Sequence, residues 1–190
     1  MRMVLLASLT LVACTRDPET AVCPDVSVGD IVITEIAGKQ TGNDVLVPWV
    51  ELYNASGGAL DLLGIKVRLR QLDGDEIDSF LIRRSLSVSA GDYVVLGMAP
   101  DGGDEDYIDY GFGPDFAASW PSAAAIDVIS CDLQVDKAQW PDLPNTGTYS
   151  LGKSPPTADL NDFPTNWCTD ATPNIGSAPG TPKRMNNACP

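Results

Sequence analysis

The segment from Ile31 to Asn54 contains two apolar runs of strand length, and it constrains the fold more than any other part of the chain. The runs are Ile31–Ile36 and Trp49–Asn54, and both are rich in β-branched and aromatic residues. A polar loop that contains two glycines joins them. Residues of these types favour strands connected by a turn. Because apolar and polar side chains alternate in the second run, the pattern predicts two paired β-strands rather than a helix.

The segment from Ile65 to Ile82 predicts a β-hairpin with one buried and one exposed face. Apolar and basic residues alternate in its first half, which is the pattern of a half-buried strand. Gly74-Asp75 suits a two-residue turn, because a type II′ turn requires glycine at its first central position. This turn sets the register of the predicted pairing, which joins Val67 to Ile82 and Leu69 to Phe80.

The same register places four basic residues on the exposed face of the hairpin. They are Lys66, Arg68, Arg70 and Arg83, in a chain with 12 basic and 26 acidic residues. One interpretation is a solvated sheet face with local ion pairs. The other is a binding face for an acidic protein or an anionic envelope polymer. Because exposed ion pairs contribute little to stability, we expect reversal of Arg68 and Arg70 to Glu to leave the melting temperature nearly unchanged.

The other apolar residues also occur in short runs, separated by Gly, Pro, Asn and Asp. This composition is typical of an all-β sandwich, and the length of the chain suits one domain. Asp127–Cys131 and Leu133–Trp140 predict further strands. Only Phe116–Ala125 hints at a helix, and Pro121 interrupts it. From Pro141 onward the chain is rich in Pro and Gly, which predicts an irregular tail around the outside of the sandwich.

Several of these pieces, taken in order, resemble the lamin tail domain, a family with an immunoglobulin-like β-sandwich fold. The pieces are ITEI and WVELYN, Leu62–Val67, Ser89–Leu96, and Gly180-Thr181-Pro182 followed by Asn186. The family usually has a small, Gly-containing run between the Pro and the Asn of the last piece. In this chain that run is replaced by Lys183, Arg184 and Met185. The resemblance implies an immunoglobulin-like sandwich over residues 29–190.

Residues 1–13 have the organisation of a lipoprotein signal peptide. Arg2 supplies a positive charge, and the apolar run that follows is too short to span a bilayer permanently. The run ends in LVAC, which matches the bacterial lipobox, so we expect cleavage before Cys14 and acylation of this cysteine. The alternatives are an ordinary secretory signal and a buried N-terminal helix with a chance cysteine. Residues 14–28 contain prolines and few apolar residues, and they predict a lipidated tether.

Four cysteines remain if Cys14 carries the lipid, and an even number in an exported chain predicts two disulfides. Three connectivities are possible. We favour Cys168–Cys189, which would hold the tail, together with Cys23–Cys131, which would attach the tether to the sandwich. A zinc site is the alternative, but the chain has no His and no C-x-x-C pair.

The segment DGGDEDYIDYG concentrates acidic residues after the strand predicted at Tyr93–Met98. Carboxylate oxygens bind Ca²⁺, and the candidate ligands are Asp101, Asp104 and Asp106. The spacing differs from that of an EF-hand loop, however, and Gly102-Gly103 suits a solvated turn equally well.

Neither catalysis nor nucleic-acid binding is predicted from the sequence. The chain has no His for a catalytic triad, and it contains no phosphate-binding or dinucleotide-binding motif. Its net charge of −14 opposes association with nucleic acids.

We therefore expect a non-catalytic binding or scaffolding module, without a cofactor, that contacts the membrane through its lipid. Thr15 after the cysteine agrees with the sorting pattern of outer-membrane lipoproteins, so the expected location is the cell envelope at the outer membrane. The alternatives are a Ca²⁺-dependent structural or adhesive module and an enzyme with a carboxylate-based site.

Overall fold

The protein is built almost entirely from β-strands. The computed structural model describes residues 22–41, 46–103, 105–175 and 178–190. The predicted signal peptide, Cys14 and the first part of the predicted tether lie outside the described residues. The strands are β1 (Ile31–Ala37), β2 (Trp49–Asn54), β3 (Leu60–Asp61), β4 (Ile65–Arg70), β5 (Glu76–Leu81), β6 (Ser87–Val88), β7 (Tyr93–Gly97), β8 (Tyr110–Gly111), β9 (Ala124–Ser130), β10 (Leu133–Trp140), β11 (Thr148–Leu151), β12 (Trp167–Asp170), β13 (Pro173–Ile175) and β14 (Ala178–Pro179). The helical segments are short: α1 (Ala158–Asn161) and two 3-10 turns, at Gly113–Asp115 and Pro164–Asn166.

Most of the strands belong to two sheets that pack face to face. The larger sheet has the strand order β12-β11-β1-β2-β7-β8, and the smaller has the order β10-β9-β4-β5. Two short pairs, β3-β6 and β13-β14, lie apart from them. Buried apolar residues of both sheets form one core, including Ile33 and Leu52 of the larger sheet and Val67, Phe80 and Ile126 of the smaller. The prediction of an all-β sandwich is confirmed, and burial of this apolar surface drives its folding.

The strands predicted from ITEI and WVELYN are β1 and β2, at the centre of the larger sheet. They pair in antiparallel fashion, as predicted. A β-bulge after Ile33 makes Thr34 the extra residue, so that Glu35 lies directly opposite Glu51. Because Glu51 alternates with core residues of β2, the two acidic side chains project on the outer side of the sheet.

The hairpin of β4 and β5 has the predicted faces but a different register. The apolar residues of β4 are buried, and the basic residues between them are partly exposed. Val67 pairs with Phe80, whereas the predicted register paired it with Ile82. The predicted two-residue turn is wrong, because the connection spans residues 71–75 and a β-bulge at Ile77 shifts the register between Leu69 and Arg70. The displacement of Val67 by two positions preserves the faces, since side chains alternate with a period of two.

The C-terminal part of the chain contributes more to the sandwich than predicted. β11 lies between β1 and β12 inside the larger sheet, so the chain beyond Pro141 does not simply wrap around the outside. The segment 116–125 contains no helix, and β9 begins within it. Phe116 and Trp120 instead pack against Phe112, with ring centroids 5.6 and 6.1 Å from it, and so extend the apolar core.

Both predicted disulfides are present. Cys23 is bonded to Cys131, at the turn between β9 and β10, with the Cα atoms 5.5 Å apart. Cys168 of β12 is bonded to Cys189, with the Cα atoms 5.7 Å apart. The first disulfide attaches the N-terminal segment to the sandwich and the second attaches the C-terminal segment. Such bonds persist in oxidising compartments, which agrees with an exported protein.

Candidate functional site

The exposed face of the smaller sheet carries a group of basic residues. Lys66, Arg68 and Arg70 project from this side of β4, as predicted. Asp127 of β9 has Arg68 as its cross-strand partner on one side and Lys137 of β10 on the other. Cross-strand partners project to the same side of a sheet, so Lys137 joins the group. We call Lys66, Arg68, Arg70 and Lys137 the outer basic face.

Asp127 lies beneath the outer basic face and fixes the orientation of two of its side chains, those of Arg68 and Arg70. The side chain of Asp127 is inaccessible to solvent. Its Oδ2 accepts hydrogen bonds from Nε and one terminal nitrogen of Arg68, at 3.0 and 2.7 Å, and from Nε of Arg70 at 3.0 Å. Its Oδ1 accepts a hydrogen bond from Gln134 Nε2 at 2.8 Å. Two guanidinium groups around one carboxylate keep a net positive charge, and their directions are fixed by charged hydrogen bonds.

Arg83 does not belong to the outer basic face. Lys66 pairs with Leu81, the last residue of β5, so Arg83 lies beyond the strand and the register that placed it on the exposed face of the hairpin is wrong. Its Nε donates a hydrogen bond to Asp115 at 2.8 Å. Lys66 contacts Glu76 at 3.6 Å, and both side chains are more than a third exposed, so this ion pair contributes little to stability.

A cleft adjoins the outer basic face where β10 meets α1. Its volume is about 330 Å³. Two of the residues that line it, Lys137 and Asp162, form an ion pair with an N–O distance of 3.8 Å. The cleft thus offers cationic groups, amide groups and one carboxylate to a ligand. Its lining residues are Arg70, Lys137, Ala138, Gln139, Asn161 and Asp162.

The buried carboxyl group of Asp136 accepts a hydrogen bond from Asn161, one of the residues that line this cleft. Its Oδ2 accepts hydrogen bonds from the backbone N–H of Ile33 and from Asn161 Nδ2, both at 2.7 Å. Asn161 Nδ2 also donates to the Ile33 carbonyl oxygen at 3.1 Å, which fixes the orientation of the amide. Burial raises the pKa of Asp136 to about 7. These contacts attach α1 to both β1 and β10.

Glu35, on the outer side of the larger sheet, is buried beneath residues 180–187, which we call the C-terminal segment. It accepts hydrogen bonds from the hydroxyl groups of Thr148 and Ser150, and from both the backbone N–H and the hydroxyl of Thr181. Asn186 secures the segment by donating through Nδ2 to the Thr34 carbonyl oxygen at 2.7 Å. Burial raises the pKa of Glu35, and the hydrogen bonds oppose part of this effect.

Glu51 lies beside Glu35 and is also fully buried. It accepts hydrogen bonds from the Thr34 hydroxyl and the Lys183 backbone N–H, both at 2.7 Å. Burial, reinforced by the charge of Glu35, raises the pKa of Glu51 well above its usual value. Lys183 adopts a left-handed φ of 65°, and its Nζ pairs with Asp109 at 2.7 Å. Since both carboxyl groups are closed to solvent, this pair is a structural junction rather than an open reaction site.

The acidic segment that supplied the candidate Ca²⁺ ligands is partly engaged by arginine. Nε and a terminal nitrogen of Arg84 donate to the two carboxylate oxygens of Asp101, at 2.7 and 2.9 Å. Asp106 is exposed, and Asp104 lies outside the described residues. Among the residues that the structure describes, no group of three or more His, Cys, Asp or Glu side chains could hold a metal ion. A guanidinium bound to both oxygens competes with any cation for Asp101.

Sequence reasoning missed two residues of the candidate site, Asp127 and Lys137. Both lie in segments that were predicted as strands. The exposure of Lys137 could have been predicted, because it stands between buried residues in the alternating pattern of β10. The burial of Asp127 gives no such signal, since Asp is rarely buried and its partners come from β4, far away in the sequence.

Comparison of the chain with models of known protein families finds no match, and comparison with curated proteins finds no significant relative. In the described part of the chain, no helix has both the length and the apolar character needed to cross a membrane. The function is therefore inferred from the outer basic face and the adjoining cleft.

Proposed function

We propose that the protein is a non-catalytic binding module of the lamin tail kind, held in the bacterial cell envelope by a lipid on Cys14. Its outer basic face recognises an acidic protein or an anionic envelope polymer. The observation that carries this proposal is the position of Arg68, Arg70 and Lys137 on one face, where the buried carboxylate of Asp127 holds the two arginines and Lys137 is its cross-strand neighbour. This arrangement concentrates positive charge on one face of a chain with a net charge of −14. The remaining surface repels anions that do not fit the face, which adds selectivity.

The relation to lamin tail domains is supported by the positions of the residues that carry the resemblance. Glu35, Glu51, Thr181 and Asn186 belong to three of the resembling pieces, and they meet at the junction beneath the C-terminal segment. Lys183 stands where that family has its Gly-containing run, and it adopts the left-handed conformation that glycine adopts easily.

Attachment to the envelope is supported by the N-terminal segment. Cys23 is fixed to the sandwich through Cys131. A chain from Cys14 to Cys23 reaches at most about 30 Å when fully extended. A lipid on Cys14 would therefore keep the sandwich close to a membrane surface, with the outer membrane as the proposed location.

A non-catalytic role is supported by the state of the acidic groups. Glu35 and Glu51 are paired across two strands, but the C-terminal segment covers them, and Thr181 and Lys183 of this segment donate hydrogen bonds to them. Asp127 is likewise covered by two arginines. A general acid or base must reach the proton that it transfers, which covered groups of this kind cannot do.

Charge reversal of the two exposed lysines of the outer basic face tests the proposal. The side chains of Lys66 and Lys137 are 40 % and 53 % exposed, so Lys66→Glu with Lys137→Glu should leave folding nearly unchanged. The full chain is titrated with fluorescent polyglutamate and with polygalacturonate. We expect the double variant to bind these polyanions at least about tenfold more weakly, and binding of the unmodified chain to weaken as salt is raised.

The matched control is Lys39→Glu with Lys153→Glu, which makes the same change of charge at two exposed positions elsewhere. This control should bind the polyanions much as the unmodified chain does. Equal weakening in the two double variants would mean that only total charge matters, and the proposal would be wrong. It would also be wrong if the unmodified chain bound neither polymer.

A further inference from the structure

The cleft beside the outer basic face combines chemical groups that a site for simple anions would not combine. Arg70 and Lys137 supply positive charge, and Gln139 and Asn161 supply amides. Asp162 adds a carboxylate to the same wall, and this group would repel a phosphate or a run of acidic side chains. The mixture indicates a ligand that carries both an anionic group and hydrogen-bond donors.

Several of these groups keep hydrogen-bonding capacity for a ligand. Arg70 donates to Asp127 only through Nε, and its two terminal nitrogens donate no hydrogen bond to the described residues. The side-chain amide of exposed Gln139 likewise has no hydrogen bond within the described part of the chain. Among the described residues, the contact of the Asp162 carboxylate is the long one with Lys137, at 3.8 Å, which a ligand hydroxyl group could bridge.

Asn161 provides a second, independent observation. Its residue is 3 % exposed, and its Oδ1 is buried without a hydrogen-bond partner among the described residues. The amide cannot be turned over to relieve this, because Nδ2 donates to both the Ile33 carbonyl oxygen and Asp136. A buried acceptor of this kind is costly unless a donor from outside the described chain reaches it. Asn161 lines the cleft, and a ligand hydroxyl group there becomes such a donor by displacing the groups that cover this oxygen.

We infer that the cleft binds a carboxylated sugar unit of an acidic polysaccharide. This inference rests on the proposed function, and it selects the polymer rather than the protein as the partner. The sugar carboxylate pairs with Arg70 and Lys137. The sugar hydroxyl groups donate to exposed Asp162 and, by displacing the groups that cover it, to Asn161 Oδ1. Gln139 hydrogen-bonds a ring or hydroxyl oxygen. A volume of about 330 Å³ is at the lower end of the range for ligand pockets, and it suits one sugar unit with its neighbours extending along the outer basic face.

The test compares three probes by calorimetry on the full chain: a short oligogalacturonate, a polyglutamate of the same charge, and the methyl-esterified oligogalacturonate. The first carries both negative charge and hydroxyl groups, the second carries charge but no hydroxyl groups, and the third carries hydroxyl groups but no charge. We expect the first to bind at least about tenfold more tightly than either of the others, since it alone meets all the groups of the cleft.

Gln139→Ala distinguishes binding in the cleft from binding to the outer basic face, because it changes no charge and removes an exposed side chain of the cleft. It should weaken oligogalacturonate binding about fivefold, the effect of losing one neutral hydrogen bond, and leave polyglutamate binding unchanged. Gln71→Ala, at an exposed position in the β4–β5 loop, is the control and should change neither.

Three outcomes overturn the inference. If oligogalacturonate and polyglutamate bind equally tightly, or if Gln139→Ala does not alter oligogalacturonate binding, the cleft does not recognise sugar hydroxyl groups, while the proposal for the outer basic face remains. If no anionic probe binds, the inference and the proposed function fail together.

Discussion

Asp127 is inaccessible to solvent, and its charge is balanced by Arg68 and Arg70. These two arginines therefore have two roles at once. They present positive charge on the surface, and they neutralise a carboxylate that would be costly to bury alone. From the alternation of β4 alone, both appear to be ordinary exposed residues. The structure therefore changes the expected effect of reversing their charge.

Reversing Arg68 and Arg70 to Glu should destabilise the protein strongly, in contrast to the expectation from sequence. The double variant leaves the buried carboxylate of Asp127 without a cation and places two more negative charges beside it. We expect the free energy of unfolding to fall by about 3–5 kcal/mol or more. Urea denaturation measures it, and Lys66→Glu with Lys137→Glu should cost less than about 1 kcal/mol in the same assay. Similar losses for the two pairs would show that Asp127 does not depend on its arginines.

The same residues show what a sequence can and cannot predict at this scale. The alternating pattern places Lys66, Arg68 and Arg70 on one face, because side-chain direction in a strand follows from local geometry. It cannot predict Asp127 beneath them, because that contact depends on which strand pairs with β4. Arg83 was misplaced for the same reason, since its position depends on register and on a loop length that local patterns do not specify.

The short helix α1 fills the space between β1 and β10, and its attachment depends on one carboxyl group. Asp136 of β10 accepts hydrogen bonds from Ile33 of β1 and from Asn161 of α1. Three elements that are distant in the sequence thus meet at a group that is almost excluded from water. Because burial disfavours the charged form, ionisation of Asp136 opposes this junction.

Stability should therefore fall as the pH rises through the range in which Asp136 ionises. Its pKa is 3.8 ordinarily and about 7 in the folded protein, so the contribution of the neutral carboxyl is fully present below pH 3.8 and is lost as the pH approaches about 7. Asp136→Asn keeps an acceptor oxygen and cannot ionise. The fall in unfolding free energy between these pH values should be smaller in Asp136→Asn by roughly 2–4 kcal/mol.

Denaturation curves at several pH values check this prediction. Asp132→Asn, at an exposed position in the turn between β9 and β10, is the control and should keep the pH dependence of the unmodified chain. Parallel pH profiles for Asp136→Asn and the unmodified chain would contradict an ionisation of Asp136 in this range.

At the scale of elements, the sequence predicts strands and their hairpin neighbours well, but it predicts neighbours that are distant in the chain poorly. β1, β2, β4, β7 and β10 follow from apolar runs or alternation, which are local signals. The segment beyond Pro141 has no such run, yet β11 occupies an interior position in the larger sheet. In this position the hydroxyl groups of Thr148 and Ser150 donate hydrogen bonds to Glu35, and these contacts are visible only when the sheet is assembled.

At the scale of the whole molecule, one disulfide attaches the N-terminal segment to the sandwich and the other attaches the C-terminal segment. Cys23–Cys131 joins residues 108 positions apart, whereas Cys168–Cys189 joins residues 21 positions apart. A cross-link restricts the unfolded chain more when it closes a longer loop. The two bonds therefore differ in how much stability each contributes.

Replacing both cysteines of one bond with Ser should lower the unfolding free energy in both cases, and more for Cys23–Cys131. The chain-entropy model gives about 3 kcal/mol for a short loop such as that of Cys168–Cys189 and about 4–5 kcal/mol for one of roughly 100 residues. Guanidinium denaturation of the two double variants measures both losses. The reverse order would mean that contacts of the C-terminal segment, rather than loop closure, determine the contribution of its disulfide.

The position of β1 in the larger sheet has a consequence for the time course of synthesis. Its neighbour on one side is β2, the next strand in the chain, but its neighbour on the other side is β11, so that Glu35 and Ser150 pair across 115 positions. Until β11 has been made, one edge of the apolar strand IVITEIA has no native partner. An unpaired edge of this kind is a template for other chains, and distant pairing is slow. The nascent protein is therefore most prone to aggregate in the interval before its last quarter emerges, however stable the finished sandwich is.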